Sequence, residues 1–243
     1  MDNHRHTDMD RTPNGWNVFD PSLPILTYEY SFGPGTATAL AVGGEGGLIV
    51  VSPPCRVGAG VLDDLSRYGA VRALIAPNGF HYMGLAQWCE RFPDVPVFAP
   101  AQAIERLRRR TGLSGIRPLS EAVSIAGSRI DLVDMPHYKT GEALVRVMSG
   151  RGLVWFVTDV VVNLPVLPGH PVAKWLFKLS GSAPGLKFNN LASLVMVQDK
   201  KALKRWLAAQ IAAAPPAWLI PSHGDVMELA AGREALGRLF AAS

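Results

Sequence analysis

Four apolar runs in this chain stop abruptly, and each stops within a few residues of a histidine or an aspartate. Leu74-Ile75-Ala76-Pro77 leads to His81, and Ile130-Asp131-Leu132-Val133-Asp134 leads to His137. Leu153-Val154-Trp155-Phe156-Val157-Thr158 ends at Asp159, and Trp218-Leu219-Ile220-Pro221-Ser222 ends at His223. Short apolar runs closed by proline, glycine or polar residues read as buried strands. Side chains on short loops at the carboxyl ends of strands are where α/β proteins usually carry their chemistry. Four such ends bearing imidazole or carboxylate groups call for a fold that gathers strand ends along one edge.

The two halves of the chain repeat one another. Val42 and Leu48 bracket Gly43-Gly44-Glu45-Gly46-Gly47, and Val147 and Leu153 bracket Met148-Ser149-Gly150-Arg151-Gly152. Each hairpin leads to an apolar run and a strand-end polar residue, Ser52 in one half and Asp159 in the other. Each half later supplies a further strand end, before His81 and before His223. The pattern predicts two ββ…αβ halves facing each other, although so short a match also fits coincidence.

Order is expected from Leu23, with residues 1–22 a flexible polar tail in which His4 and His6 are solvated, and residues 23–243 a single domain. Strands are expected over 25–32, 36–42, 48–51, 71–75 and 95–99, two short ones within 122–134, then 142–147, 153–162 and 218–221. Helices are expected over 57–68, 83–92, 101–111, 174–179, 200–214 and 228–240. The chain is 48% hydrophobic and 18% charged, which excludes a disordered chain and suits sheets covered on both faces. The formal charge of +4 is modest. Its densest basic run, with Arg108, Arg109 and Arg110 contiguous, lies in an expected helix without interleaved aromatics, so a solvated face is expected and no nucleic-acid partner. The amino terminus lacks the apolar core of a signal peptide, and glycines interrupt residues 37–51, so no membrane partner is expected. Cys55 and Cys89 form no metal or redox spacing, which fits a reducing, cytoplasmic setting. Oligomeric state is left open.

His81, His137, Asp159 and His223 are candidate metal ligands. Each histidine alone more readily reads as structural, whereas together they suit Zn²⁺ or Fe with a place left for water. His170, in a proline- and glycine-rich loop, reads as a surface residue or a cover over the site. Lys174, Trp175, Phe177 and Lys178 belong to a short helix that reads either as half-buried with snorkelling lysines or as a substrate lid. Asp225 either caps the last helix or supports His223. The chain contains no Gly-x-Ser-x-Gly elbow, which argues against a serine hydrolase.

Strand-end histidines, Phe156-Val157-Thr158-Asp159 and Ser222-His223-Gly224-Asp225 together resemble the metallo-β-lactamase superfamily over roughly residues 23–240. Within it the chain looks most like a poorly characterised branch with a Pro-Asn-x-x-His element and a Lys-Thr-Gly-Glu segment, here Pro77-Asn78-Gly79-Phe80-His81 and Lys139-Thr140-Gly141-Glu142. The resemblance implies an α/β (α+β) fold, a four-layer αβ/βα sandwich with a mono- or dinuclear metal site at the edge of two sheets. His137 matches the middle histidine, Asp159 the bridging aspartate and His223 the last histidine. The first motif, His-x-His-x-Asp-His in active members, is eroded to Asn78-Gly79-Phe80-His81, and Ser52 stands where an aspartate often orients the site. At most one zinc or iron ion is therefore expected, or none, held by His81, Asp159 and His223 with His137 auxiliary.

Two functions follow from that resemblance. One is a metal-dependent hydrolase of an ester, thioester, lactone or phosphoester, with Asp159 at the metal and Tyr82 or Tyr138 steadying the oxyanion. The other is a non-catalytic binding or scaffold protein that keeps the fold. Either would take a small-molecule substrate or ligand.

Overall fold

Apolar side chains on consecutive positions of a strand point to opposite faces, so a run such as Leu48-Ile49-Val50-Val51 can be buried only if both faces of its sheet are covered. The computed structural model describes residues 10–33, 35–167, 169–229 and 233–240, and it has this arrangement throughout. The first half holds β1 (Asn17–Asp20), β2 (Ile25–Ser31), β3 (Thr36–Gly44), β4 (Gly47–Val51), α1 (Ala59–Asp63), β5 (Val71–Ile75), α2 (Leu85–Arg91), β6 (Val97–Ala99), α3 (Ala101–Thr111), β7 (Ile116–Pro118) and α4 (Val123–Ala126). Strands β1 to β7 form one sheet in sequence order, antiparallel as far as β4 and parallel from β4 to β7.

The carboxyl-terminal half holds β8 (Ile130–Asp134), β9 (Ala143–Ser149), β10 (Gly152–Val157), β11 (Val161–Leu164), α5 (Pro171–Ser180), β12 (Gly185–Phe188), α6 (Asn190–Met196), α7 (Lys200–Ala213), β13 (Trp218–Pro221), β14 (Met227–Glu228) and α8 (Arg233–Phe240). Its main sheet runs β14-β13-β10-β9-β8, and β11 pairs with β12 in a separate ribbon. The expected repetition is visible in the pairing. The β3–β4 hairpin is followed by β5 parallel to β4, and the β9–β10 hairpin by β13 parallel to β10.

Three cores separate the layers. Ile49 and Val51 of β4 meet Val145 and Val147 of β9 and Val154 and Phe156 of β10 between the two sheets. Leu48 and Val50 face the other way, onto Leu62, Leu85, Trp88 and Leu107 from the helical layer of the first half. Trp155 and Val157 of β10 pack outward with Met196, Leu203, Leu207 and Phe240. The result is the expected four-layer αβ/βα sandwich.

The amino-terminal boundary moves. Residues 1–9, including His4 and His6, lie outside the described residues, but residues 10–22 are part of the fold and not a flexible tail. Trp16 is fully buried in the outer core of the first sheet, and its indole N–H donates to the Val61 carbonyl at 2.8 Å. The Asp20 carboxylate accepts from Ser22 N–H at 2.9 Å and from Gly150 N–H at 3.0 Å, which fastens the end of β1 to the β9–β10 turn. The Arg151 guanidinium lies 4.6 Å above the Phe19 ring and 4.2 Å above Trp218, joining the two sheets again at that end.

Other elements differ more locally. Residues 123–126 are the short helix α4, not a strand, and the left-handed Gly127 at φ +70° ends it. Strands β7 and β12 and helix α6 carry no extended periodicity, being three, four and seven residues long. Helix α6 begins where the Asn189 side chain accepts from Ala192 N–H at 3.1 Å. Because a tryptophan removed from a closed core costs about 3–5 kcal/mol, Trp16→Ala should lower the unfolding free energy by that amount. Urea denaturation followed by circular dichroism measures it, and a loss below about 1 kcal/mol would show that the first strand is dispensable.

Candidate functional site

The loop after β5 begins with Pro77 and immediately folds over its own side chain. Asn78 Oδ1 accepts from Phe80 N–H at 2.8 Å and from His81 N–H at 3.1 Å, a local turn that asparagine favours. Gly79 N–H donates to the Thr140 carbonyl at 3.0 Å. Arg106 Nε donates to the Gly79 carbonyl at 2.9 Å and its guanidinium covers the Phe80 ring at 4.1 Å. At the far end of the loop Gly84 lies against the Pro53 carbonyl, where a Cβ would come within 2.0 Å of the oxygen. Only glycine allows that approach, and it brings the His81 loop beside Ser52 at the end of β4.

Asp159 follows β10 through Thr158. Its backbone N–H donates to Glu142 Oε1 at 3.0 Å, and Thr158 donates to the same oxygen from its N–H at 3.2 Å and from its hydroxyl. His223 follows β13. Thr38 N–H donates to the Ser222 carbonyl at 2.7 Å, and Ser222 Oγ donates to the Thr38 carbonyl at 3.0 Å, so β3 fixes the turn that carries His223.

These loops bring three of the four candidate ligands together. His81 Nε2 is 3.4 Å from Asp159 Oδ2, and His223 Nε2 is 3.2 Å from Asp159 Oδ1. One ligand atom from each of the three lies within 4.8 Å of the others. The far nitrogens are tied down as well. His223 Nδ1 lies 2.9 Å from the Thr36 carbonyl, and His81 Nδ1 lies 2.7 Å from Ser52 Oγ, which in turn meets Tyr30 Oη at 2.9 Å. Ser52 sits fully buried at a left-handed φ of +56°. An amide completes the surroundings: Asn78 Nδ2 donates to Asp159 Oδ2 at 2.7 Å and to Glu142 Oε2 at 2.8 Å.

The electrostatics follow from burial and from these partners. Burial alone would raise the Asp159 carboxyl, but hydrogen bonds and charge from His223 and His81 outweigh it and hold the group well below the carboxylate range. Burial works against His223 becoming charged, yet Asp159 overcomes it and raises the imidazole. Glu142 is raised by burial and then by the neighbouring charge of Asp159. Burial pushes the Tyr30 phenol up to about 12, so it stays protonated.

Beside the triad opens a cleft of about 110 Å³ lined by Tyr30, Phe32, Ala37, Phe80, His81, Met83 and His223. Several expected participants lie elsewhere. His137 is exposed and outside the triad: Tyr138 bridges to Val197, Gln198 N–H donates to the His137 carbonyl at 2.7 Å, and its φ of +65° turns the residue towards the surface near Asp199. Tyr138 is buried in the outer core of the β8–β14 sheet, and Tyr82 packs on the outer core of the β1–β7 sheet. Neither lines the cleft. Lys174, Trp175, Phe177 and Lys178 lie on α5, which packs on α6 and contributes no side chain to the cleft lining. His170 and Asp225 are exposed, and the backbone of Asp225 is tied to Asn163.

The residues missed at the site are Tyr30, Glu142 and Asn78. Asn78 and Glu142 stand in the two segments that set the chain apart from the ordinary superfamily motif. Tyr30 had only its place in the alternation Tyr28-Glu29-Tyr30 to mark it.

No protein-family model and no curated protein matches the chain. Solved structures do. A metallo-β-lactamase from Erythrobacter litoralis, with β-mercaptoethanol in its active site, aligns with a TM-score of 0.64 over 96% of this chain and 99% of its own at 17% identity. A metallo-β-lactamase from Pontibacter korlensis aligns with a TM-score of 0.57 over 91% of this chain and 95% of its own at 13% identity. A mutant flavo di-iron protein from Thermotoga maritima gives 0.61 over 95% of this chain and 61% of its own at 11% identity. Together with its two facing sheets and their helical outer layers, these likenesses identify the chain as having the metallo-β-lactamase fold.

Proposed function

We propose that this chain is a metal-dependent hydrolase that holds a single zinc or iron ion between His81, Asp159 and His223. The observation that carries the reading is a mismatch of lone pairs. A carbonyl can only accept, so His223 Nδ1 must bear the proton that it shares with Thr36. A neutral His223 therefore turns an Nε2 lone pair towards the Asp159 carboxylate at 3.2 Å, where two acceptors repel. Positive charge resolves the conflict, supplied by a further proton on the imidazole or by a cation between the two groups. The donors suit a cation: two imidazole nitrogens and a carboxylate oxygen, near the separations required by bonds of about 2.0–2.2 Å to one ion. Both imidazoles have a partner on the far nitrogen, as metal-ligating histidines usually do. A bound ion would supply Lewis acidity at the mouth of the cleft.

The chain's own groups support the remaining tasks. Phe32, Ala37, Phe80 and Met83 offer an apolar bed for an acyl group, and the described lining contains no lysine or arginine for a phosphate. This favours an ester, thioester or lactone over a phosphoester. Tyr30 is the phenol that lines the cleft, and its protonated hydroxyl takes the oxyanion role expected of Tyr82 or Tyr138. The alternative, a non-catalytic protein that retains the fold, draws support from the raised His223 imidazole beside Asp159, since a proton on that ring would satisfy the site without metal.

Protein purified without chelator and titrated with Zn²⁺ should bind one equivalent. Asp159→Ala and His223→Ala should weaken binding at least about 100-fold, since each removes one of three ligands, while His137→Ala leaves it unchanged. Elemental analysis and competition with a chromogenic chelator measure this. Two tight equivalents, or none at neutral pH, would refute the single-ion site. Zinc bound without turnover of any ester, thioester or lactone in a panel would favour the non-catalytic reading. Ser52→Ala should free the His81 ring and lower zinc affinity by about 10–100-fold with the fold retained, as removal of such outer partners usually does. The same competition assay tests it, and unchanged affinity would mean that Ser52 does not orient His81.

A further inference from the structure

Large apolar side chains left in water are unevenly distributed over this chain. Among the described residues, six of the nine exposed ones fall between positions 166 and 195: Val166, Val172, Trp175, Leu179, Leu194 and Val195. Helix α5 carries three of them at positions i, i+3 and i+7, hence on one face, with Val172 59%, Trp175 62% and Leu179 70% exposed. Ala173, Leu176 and Phe177 are half-buried, and none of its residues is fully buried. Helix α7 differs, burying Leu203, Leu207 and Ile211 in the usual way. Helix α5 touches α6, which adds Leu194 at 75% and Val195 at 62% exposure. An apolar surface left open in this way marks an interaction site.

Charge identifies the partner. From residue 160 to residue 198 the sequence contains no aspartate or glutamate, but it contains Lys174, Lys178 and Lys187. Lys174 and Lys178 are exposed one turn apart beside the apolar face of α5. Just beyond, α7 opens with Lys200, Lys201 and Lys204. Another copy of the chain docked here about a two-fold axis would set lysines against lysines. An anionic surface with an apolar interior matches both features. Tryptophan and lysine are the residues that sit at such a boundary, the ring at headgroup level and the long aliphatic stems extended towards the lipid phosphates. No helix of the described residues is long and apolar enough to cross a membrane, and α5, about 15 Å long, would lie flat.

We propose that α5 and α6 dock on the surface of an anionic phospholipid bilayer, Val172, Trp175 and Leu179 entering the acyl boundary and Lys174 and Lys178 meeting the headgroups. The expectation of no membrane partner rests on the lack of a spanning segment, and surface attachment needs none. This inference is independent of what the cleft hydrolyses.

Co-sedimentation of the full chain with vesicles tests it. The protein should bind phosphatidylcholine vesicles rich in phosphatidylserine, remain in solution with pure phosphatidylcholine, and be released by added salt. Trp175→Ser with Leu179→Ser, and separately Lys174→Gln with Lys178→Gln, should each lower partitioning on the order of tenfold without changing the circular dichroism. Met148→Ser, at an exposed apolar residue on β9, should change nothing. Failure of the wild-type chain to bind anionic vesicles at low salt would overturn the proposal. Loss of binding in the lysine variant with unchanged binding in Trp175→Ser with Leu179→Ser would also overturn it, pointing to a general polyanion site. So would light scattering that shows a dimer which Trp175→Ser with Leu179→Ser converts to monomer.

Discussion

A carboxylate taken out of water must be compensated where it lies, because an unpaired buried charge costs several kcal/mol. Asp159 imposes that requirement here, and the surrounding structure answers it. His81 reaches it from the loop after β5, His223 from the loop after β13, and Asn78 places an amide between it and Glu142. Each partner is itself anchored to another strand end or to its own loop: His81 to Ser52, His223 to Thr36, and Asn78 to the backbone of Phe80 and His81. The hydrogen bonds therefore radiate from one oxygen pair to β3, β4, β5, β10 and β13. Few side chains in the edge region could change without leaving a charge or a lone pair unmatched.

Much of this was legible in the sequence because period-two burial and glycine hairpins are local signals. The runs Leu48-Ile49-Val50-Val51 and Leu153-Val154-Trp155-Phe156-Val157 read as strands covered on both faces, and two such hairpins followed by two strand ends suggested two similar halves. His81, Asp159 and His223 were found as strand-end residues for the same reason. What stayed hidden depended on contacts between distant segments. Whether His137 turned inward was decided by a bridge from Tyr138 to Val197 in a helix junction with no strong pattern of its own. Trp16 read as part of a polar tail because its partner, the Val61 carbonyl, lies in a helix 45 positions further along the chain. The Asn78–Glu142 pairing joins residues 64 positions apart and leaves no trace in either segment alone.

Helices α3 and α5, both carrying basic residues, illustrate a related limit. Helix α3 has Arg108, Arg109 and Arg110 in its last turn and buries Ala103 and Leu107, so its charge is a solvated face over an ordinary core contact. Helix α5 has fewer charges but no buried side chain, and its apolar residues occupy both faces. By sequence pattern alone, α5 is a less charged version of α3. The distinction lies in what each helix leaves uncovered.

The bond between Thr38 and Ser222 has a consequence for how the molecule is made. It joins residues 184 positions apart, and the neighbouring contact of His223 with Thr36 spans 187. Contacts of such separation carry a large loop-closure entropy and form late, after the local hairpins. A ribosome delivers the amino-terminal half first, so the β1–β7 sheet can assemble while the carboxyl-terminal turn is still unmade. The centre around Asp159 cannot be complete before that turn is delivered and docked. Until that turn docks, Asp159 faces water with one imidazole missing, and the emerging chain has neither the arrangement nor the chemistry of the finished molecule.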